Sequence, residues 1–374
     1  MADGERASRP RLPPPWAVAP LFRVRHALAG VHRRTGPPVL TVLDASLGMM
    51  QTRALAIVAD LGVADALGAR RRTPDDLATA VGADADALGR VLRFLAARGI
   101  FRQDRRGRWR NNGASSLLRA EHPDSLRSWI RFQGAPWHFA IWQHADASVR
   151  TGASASVAAT GADYFDWLTS TPDAQRVFDD AMAETSRLVG PALLAGYDFS
   201  AHRSVCDVGG GNGSLIALVL EAHPNVRGVV YDLPAVVAAA PDRLAAAGVI
   251  ERAEVVAGDF FASVPVGHDC YVLKAIVHDW DDESCLRILG HVRDALPDGG
   301  RVVVVDQIVP DGRYDTPALA TDLEMLVLTG RGRERTAAEF DGLFARAGFR
   351  VERRQSLSVA WAQVLVADRD RTRP

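Results

Sequence analysis

The chain has 374 residues, with 44 Lys plus Arg against 45 Asp plus Glu and a formal net charge of −1 at pH 7; it is long enough for roughly two domains with substantial cores. Balanced charge argues against a protein devoted to neutralising phosphates, so no nucleic-acid partner is expected. Hydrophobic residues at 48% and charged ones at 24% match globular usage, no apolar run approaches the ~18 residues of a membrane helix, and three scattered cysteines, Cys206, Cys270 and Cys285, argue for a reducing cytoplasm and against a disulfide framework.

Residues 1–38 are rich in Pro and Arg and lack the apolar stretch of a secretory signal, so they read as a disordered arm. From Val39 to Leu67 apolar residues recur at helical spacing, as in Leu47, Met50, Leu55 and Val58. In T-P-D-D-L-A-T-A-V-G, Thr73 is an N-cap, Pro74 takes the first helical position and Gly82 closes the helix. A second helix is predicted from Asp86 to Arg98, and I-F-R-Q-D-R-R-G-R-W-R reads as a hairpin turning at Arg106-Gly107. Over residues 39–120 this makes a winged-helix-like pattern. Its arginines leave a DNA-binding regulator as a remote alternative to an interaction domain with a solvated basic face.

Residues 121–190 read as a mostly helical connection with an irregular Gly/Ala/Ser stretch near 151 to 162. Over residues 191–374 the pattern changes. Short β-branched runs, S-V-C-D-V, G-V-V-Y, A-E-V-V-A, D-C-Y-V-L, R-V-V-V-V-D and F-R-V-E-R-R, alternate with helical segments. The fold class is therefore α/β, a mostly parallel sheet covered by helices on both faces.

The first of these strands runs into V-G-G-G-N-G-S, with Gly209 and Gly211 among its glycines and a helix from about Ser214. Such a loop lets a ligand reach the backbone, and the helix start offers free amides to an electron-rich group. A dinucleotide fingerprint would want Gly or Ala where Ser214 stands. At the next two strand ends come Asp232, in Y-D-L-P, and Asp259, in G-D-F-F. The first can accept both hydroxyls of a ribose; the second can take an exocyclic amine, with Phe260 or Phe261 stacking on the base. Each acid alone is more often a turn cap, but successive strand ends at the carboxyl edge are where open α/β sheets bind ligands.

D-V-G-G-G-N-G, Y-D-L-P, G-D-F-F, L-K-A-I-V-H-D-W and G-R-E-R-T-A-A-E-F, in this order, closely resemble the S-adenosylmethionine-dependent small-molecule O-methyltransferases, both the plant caffeate and flavonoid type and the bacterial type that tailors polyketides. The similarity covers about residues 40 to 368. It implies a helical, winged-helix-like dimerisation domain followed by a Rossmann-like methyltransferase domain, and a homodimer with an aromatic or polyketide substrate. S-adenosylmethionine would be the cofactor and S-adenosylhomocysteine its product. The resemblance places Asp207, Gly209, Gly211, Asp232, Asp259 and Phe260 at the cofactor. It gives Lys274, the one lysine in the chain, the cofactor's carboxylate, where a compact ammonium fits better than a guanidinium.

The same motifs make His278 the general base, acting on a phenol whose pKa is near ~10 from an imidazole near ~6.5 that is neutral and free to accept a proton. Asp306 and Glu334 should orient it, with the shorter Asp306 standing where plant relatives usually carry Glu. Phe178, Met182 and Met325 map to the apolar acceptor pocket. Asp279, Asp281, Asp282 and Glu283 read as a helix N-terminus rather than a metal cluster, so no metal is expected. Some bacterial relatives use the bound sulfonium for hydroxylation, decarboxylation or rearrangement instead of methyl transfer, which stands as the alternative chemistry.

Overall fold

Caps and left-handed glycines cut the first third of the chain into short helices, Pro38–Ser46, Gly48–Asp60, Val63–Leu67, Pro74–Val81 and Ala85–Ala96. The computed structural model describes residues 35–310, 317–357 and 362–369, together with residue 20 and residues 24, 25 and 27–31. Thr73 caps its helix by accepting from the Asp76 amide at 3.2 Å, and Gly82 ends it with φ +66°, a conformation that costs glycine little. Strands β1 (Arg102–Gln103) and β2 (Trp109–Arg110) pair antiparallel, and the turn between them is held by the Asp104 carboxylate, which takes the amides of Arg106 and Arg108 at 2.9 and 3.0 Å. Leu77, Leu88, Leu92, Leu95, Phe101 and Trp109 close a core beneath this wing.

Three expectations need correction. Within the arm read as disordered, residues 24, 25 and 27–31 are helical, as the helix-forming Ala27, Leu28 and Ala29 permit; residues 1–19 lie outside the described residues. The stretch near 151 to 162 contains a helix, Ala155–Thr160, because Ser154 caps it through the Ser156 amide at 3.0 Å while Gly152 and Gly161 bracket it at positive φ. Finally, Pro38–Asp60 is by length and composition apolar enough to cross a membrane, with a mean hydropathy of 1.2 over its best window. Val39, Leu40, Val42, Leu43, Met49 and Met50 are exposed along it, an apolar face awaiting cover.

Short helices from Arg127–Gln133 to Tyr164–Ser170 lead into the 25-residue helix Pro172–Gly196, which crosses position 190. The sheet that follows contains β3 (Ser204–Val208), β4 (Arg227–Asp232), β5 (Ala253–Ala257), β6 (Cys270–Lys274), β7 (Arg301–Asp306), β10 (Phe349–Ser356) and β11 (Gln363–Arg369) in the order β10-β11-β7-β6-β3-β4-β5. The pairs β3–β4, β4–β5, β3–β6 and β6–β7 are parallel, and only the β10–β11–β7 edge is antiparallel. Valines and leucines of these strands feed a core on each face of the sheet, which is why they read as nearly continuous apolar runs. A small parallel pair, β8 (Ile308–Val309) with β9 (Arg335–Thr336), ties the segment after β7 to the Glu334 region. The sheet order reverses beside β3, so β3, β4, β5 and β6 all point their carboxyl ends toward one crevice.

Candidate active site

At the end of β3 the chain turns through Gly209, Gly211 and Gly213 at φ +73°, +59° and +76°. A Cβ on Gly209 would lie 2.3 Å from the Ile276 side chain, whereas one on Gly211 would meet nothing within 4 Å. The loop is thus packed from below and open above. The Asp232 carboxylate accepts the Gly211 amide at 2.9 Å and the Leu233 amide at 2.7 Å. Asp259, exposed at its strand end, accepts the Phe261 amide at 2.8 Å. Both acids therefore cap turns and also stand at the ligand edge; the two roles coexist. Phe260 is partly buried, its ring 6.0 Å from that of Trp280.

Asp207 lies under the loop, 2% exposed, and burial pushes its carboxyl up to about 7, with Lys274 pulling it down and Asp232 pushing it up. Lys274 ends β6, partly buried. Burial lowers its pKa, opposed by Asp207, Asp306 and Asp279. Among the described residues its ammonium has no direct hydrogen bond or ion pair, so it stays available. An open glycine turn, carboxylates at two neighbouring strand ends and an uncommitted ammonium fit an adenosyl ligand that carries an amino-acid carboxylate.

Beyond Lys274 the backbone passes through Ala275 at φ +55° into a short turn, Val277–Asp279. Here the His278 Nδ1 donates to Glu334 Oε1 at 2.9 Å and lies 3.3 Å from Asp306 Oδ1. The shorter Asp306 thus reaches the ring without an intervening water. Gln307 bridges the group to the helix Pro317–Leu328, donating to Glu334 Oε1 at 3.3 Å and to Thr321 Oγ1 at 2.7 Å, while Asp322 accepts the Glu334 amide at 2.9 Å. With Nδ1 so held, Nε2 faces outward, and Asp279 Oδ1 stands 3.5 Å from it. Asp279 is therefore part of the site, not of the helix cap; Asp281 alone caps Asp282–Ala295, through the Ser284 amide at 2.9 Å.

The turn is gripped by Arg335, which is fully buried. Its guanidinium donates to the carbonyls of Val277 at 2.7 Å and Trp280 at 2.9 Å and to Asp282 Oδ1 at 2.9 Å, so both sides of His278 are fixed by one planar fork. Sequence reasoning missed Arg335 and read Asp279 only as part of a helix N-terminus, although each sits inside a quoted motif, next to Glu334 or His278.

Electrostatics correct a further expectation. Burial alone would lower the imidazole's pKa, but the carboxylates of Asp306, Glu334 and Asp279 overturn this and raise it from 6.5 to about 10. These carboxylates thus favour the imidazolium over the neutral ring that an isolated histidine provides. Burial in turn pushes Asp306 to about 7 and Asp279 to about 6, each tempered by His278. Neither Asp306 oxygen has a hydrogen-bond donor. The atoms of His278, Asp306 and Glu334 also lie within 4.8 Å of one another, a spacing that a metal could bridge, yet Nδ1, the nitrogen facing both acids, is already spent on Glu334.

Phe178 and Met182 share one face of Pro172–Gly196. The Phe178 ring stands 5.8 Å from Phe132, 6.1 Å from Tyr164 and 6.3 Å from Phe165, and Phe165 lies 5.6 Å from Trp280, two residues past His278. An aromatic wall thus runs from the expected pocket to the turn that carries His278. Met325 is buried on Pro317–Leu328. Phe132 and Phe165 carried no sequence signal, because no motif surrounds them and their partners lie on other elements.

Comparison with known proteins accords with this geometry. Residues 142–350 match the model of the O-methyltransferase domain and residues 43–121 that of the O-methyltransferase dimerisation domain. The chain belongs to the O-methyltransferase family. Among its relatives are a phenazine O-methyltransferase of Lysobacter antibioticus, 38% identical over 83% of this chain and 91% of that one, and the mitomycin biosynthesis 6-O-methyltransferase of Streptomyces lavendulae, 37% identical over 84% and 89%. A solved O-methyltransferase from neocarzinostatin biosynthesis, in complex with S-adenosylmethionine and 2-hydroxy-5-methyl naphthoic acid, superposes with a TM-score of 0.71 at 34% identity, covering 85% of this chain and 95% of that one.

Proposed function

We propose that this O-methyltransferase is a cytoplasmic homodimer that methylates a hydroxyl of an aromatic or polyketide-type small molecule with S-adenosylmethionine, leaving S-adenosylhomocysteine. The observation that carries the reading is the His278 imidazole, whose Nδ1 donates to Glu334 at 2.9 Å and lies 3.3 Å from Asp306, leaving Nε2 on the other edge of the ring for an acceptor. Gly209, Gly211, Asp207, Asp232, Asp259, Phe260 and Lys274 would hold the cofactor, which supplies an electrophilic methyl group and a positive charge that disfavours a second cation beside it.

His278 Nε2 takes the proton of the acceptor hydroxyl, which requires the ring first to give up its own proton to solvent; Asp279, 3.5 Å away, stands beside the ring as a negative charge. Glu334 and Asp306 keep the ring facing the acceptor and stabilise the imidazolium that re-forms. Phe178, Met182 and Met325 grip a flat apolar body, and alignment of the oxygen can lower the barrier by on the order of 7–11 kcal/mol. The test is transfer of labelled methyl to a panel of phenols. His278→Ala should lose about 10²-fold or more in rate while retaining affinity for S-adenosylhomocysteine by calorimetry; equal turnover refutes the base assignment.

The dimer reading rests on the dimerisation-domain match and on the exposed apolar face of Pro38–Asp60, which continues into a groove between Met50 and Phe94. Sedimentation should give a dimer, and Met50→Glu should shift it toward monomer.

A further inference from the structure

A second polar group lies on the aromatic wall, away from His278. Glu324, one residue before Met325, has a side chain 13% exposed, and its Oε1 stands 3.2 Å from His138 Nε2 and 3.5 Å from Gln133 Nε2. His138 Nε2 is also the acceptor for Trp142 Nε1 at 3.0 Å. One nitrogen cannot both accept from the indole and donate to the carboxylate, so either tautomer leaves a polar atom unpaired here. Two further atoms are orphaned outright: His138 Nδ1 and the Tyr164 hydroxyl are buried with no hydrogen-bond partner, on residues only 2% and 3% exposed.

Buried polar groups are nearly always satisfied, and one that is not points to a missing partner. The location says where that partner would come from. The His138 ring packs edge-on against Phe132 at 4.9 Å, and Phe132 and Tyr164 both touch Phe178 of the expected pocket. The charges of Glu324 and Asp279 both act on the Tyr164 phenol, and the ring contacts Tyr164–Phe165 and Phe165–Trp280, at 5.3 and 5.6 Å, link this group to the His278 turn. Among the described residues no arginine or lysine pairs with Glu324.

We infer that Glu324, His138 and Tyr164 form a specificity post that reads a hydrogen-bond-donating substituent, an aromatic amine, on the acceptor ring remote from the methylated hydroxyl. The substituent's N–H would donate to the Glu324 carboxylate. A carboxylate at this end of the acceptor would instead meet an uncompensated negative charge and be rejected. This inference rests on the aromatic-acceptor reading above and adds the class of acceptor.

The test uses the full-length protein saturated with S-adenosylhomocysteine and three probes, 5-amino-1-naphthol, 1-naphthol and 5-hydroxy-1-naphthoic acid, titrated by calorimetry. The aminonaphthol should bind about tenfold or more tighter than naphthol, as a hydrogen bond to a buried charge warrants, and the naphthoic acid most weakly. Glu324→Gln, which keeps size and shape, should bring the amine and the acid to within about threefold of each other. Equal preference in the wild type, a preference for the acid, or an order unchanged in Glu324→Gln would each overturn the inference. Binding in the expected order without methyl transfer from S-adenosylmethionine would refute only the transfer reading; binding of none of the three would refute both.

Discussion

Glu334→Gln should move the pH–rate profile toward acid while lowering its plateau. Glu334 Oε1 lies 2.9 Å from His278 Nδ1 and is one of three carboxylates that raise the ring's pKa to about 10. A charge pair about 4 Å apart at an effective dielectric near 20 is worth about 4 kcal/mol, or roughly 3 pKa units. Compensation reduces this. Glu334 also pushes the Asp306 carboxyl upward, so its removal leaves Asp306 more fully ionised, and Asp306, 3.3 Å from Nδ1, then holds the imidazolium in its stead. The net fall should be about 1–2 units. Since the base form is the neutral ring, the rising limb of kcat/KM against pH should shift to lower pH by that amount. The plateau should drop about 10²-fold, because an amide orients the ring without stabilising its cation. Initial rates from pH 6 to 10 at saturating S-adenosylmethionine, with the phenol held well below its KM, measure both. A limb that stays in place, or moves to higher pH, would refute the reasoning.

Gly332→Ala should impair catalysis without removing any reacting group: the added Cβ would lie 2.6 and 2.7 Å from the carbonyl oxygens of His278 and Asp279, and a displacement approaching 1 Å can cost on the order of 10²-fold in kcat. Arg335→Leu should destabilise the fold by about 2–4 kcal/mol in urea titrations, because the carbonyls of Val277 and Trp280 lose a buried donor. Stability of the ligand-free protein should decline from about pH 5 to pH 9. Asp207 and Asp306 titrate near 7 and Asp279 near 6 in the fold, all raised from 3.8, and His278 near 10 rather than 6.5. Each group binds its proton more tightly folded than unfolded, so each contribution is complete below the unfolded pKa and lost as pH rises through the folded one; thermal midpoints that rise over this range would contradict the assignment.

What the sequence disclosed follows from how local each feature is. The Thr73 cap, the wing turn and the β3 glycine loop are set by residues within a few positions of one another, and all appear where composition and spacing put them. The short helix Ala155–Thr160 escaped because its small residues carry no apolar period; two glycines and a serine cap define it instead. The pairing of His278 with Glu334 joins residues 56 positions apart, and no periodicity encodes it, so only the resemblance of the G-R-E-R-T segment pointed there. The ring's proton affinity was read wrongly for a physical reason. An imidazole taken alone titrates near 6.5, but here the value is a sum over Asp279, Asp306 and Glu334, which arrive from the turn itself, from β7 and from the approach to β9. In the ligand-free fold these three carboxylates together favour the protonated ring. Sites of this kind are therefore legible in sequence as motifs, whereas their protonation state becomes legible only once the fold has set the distances.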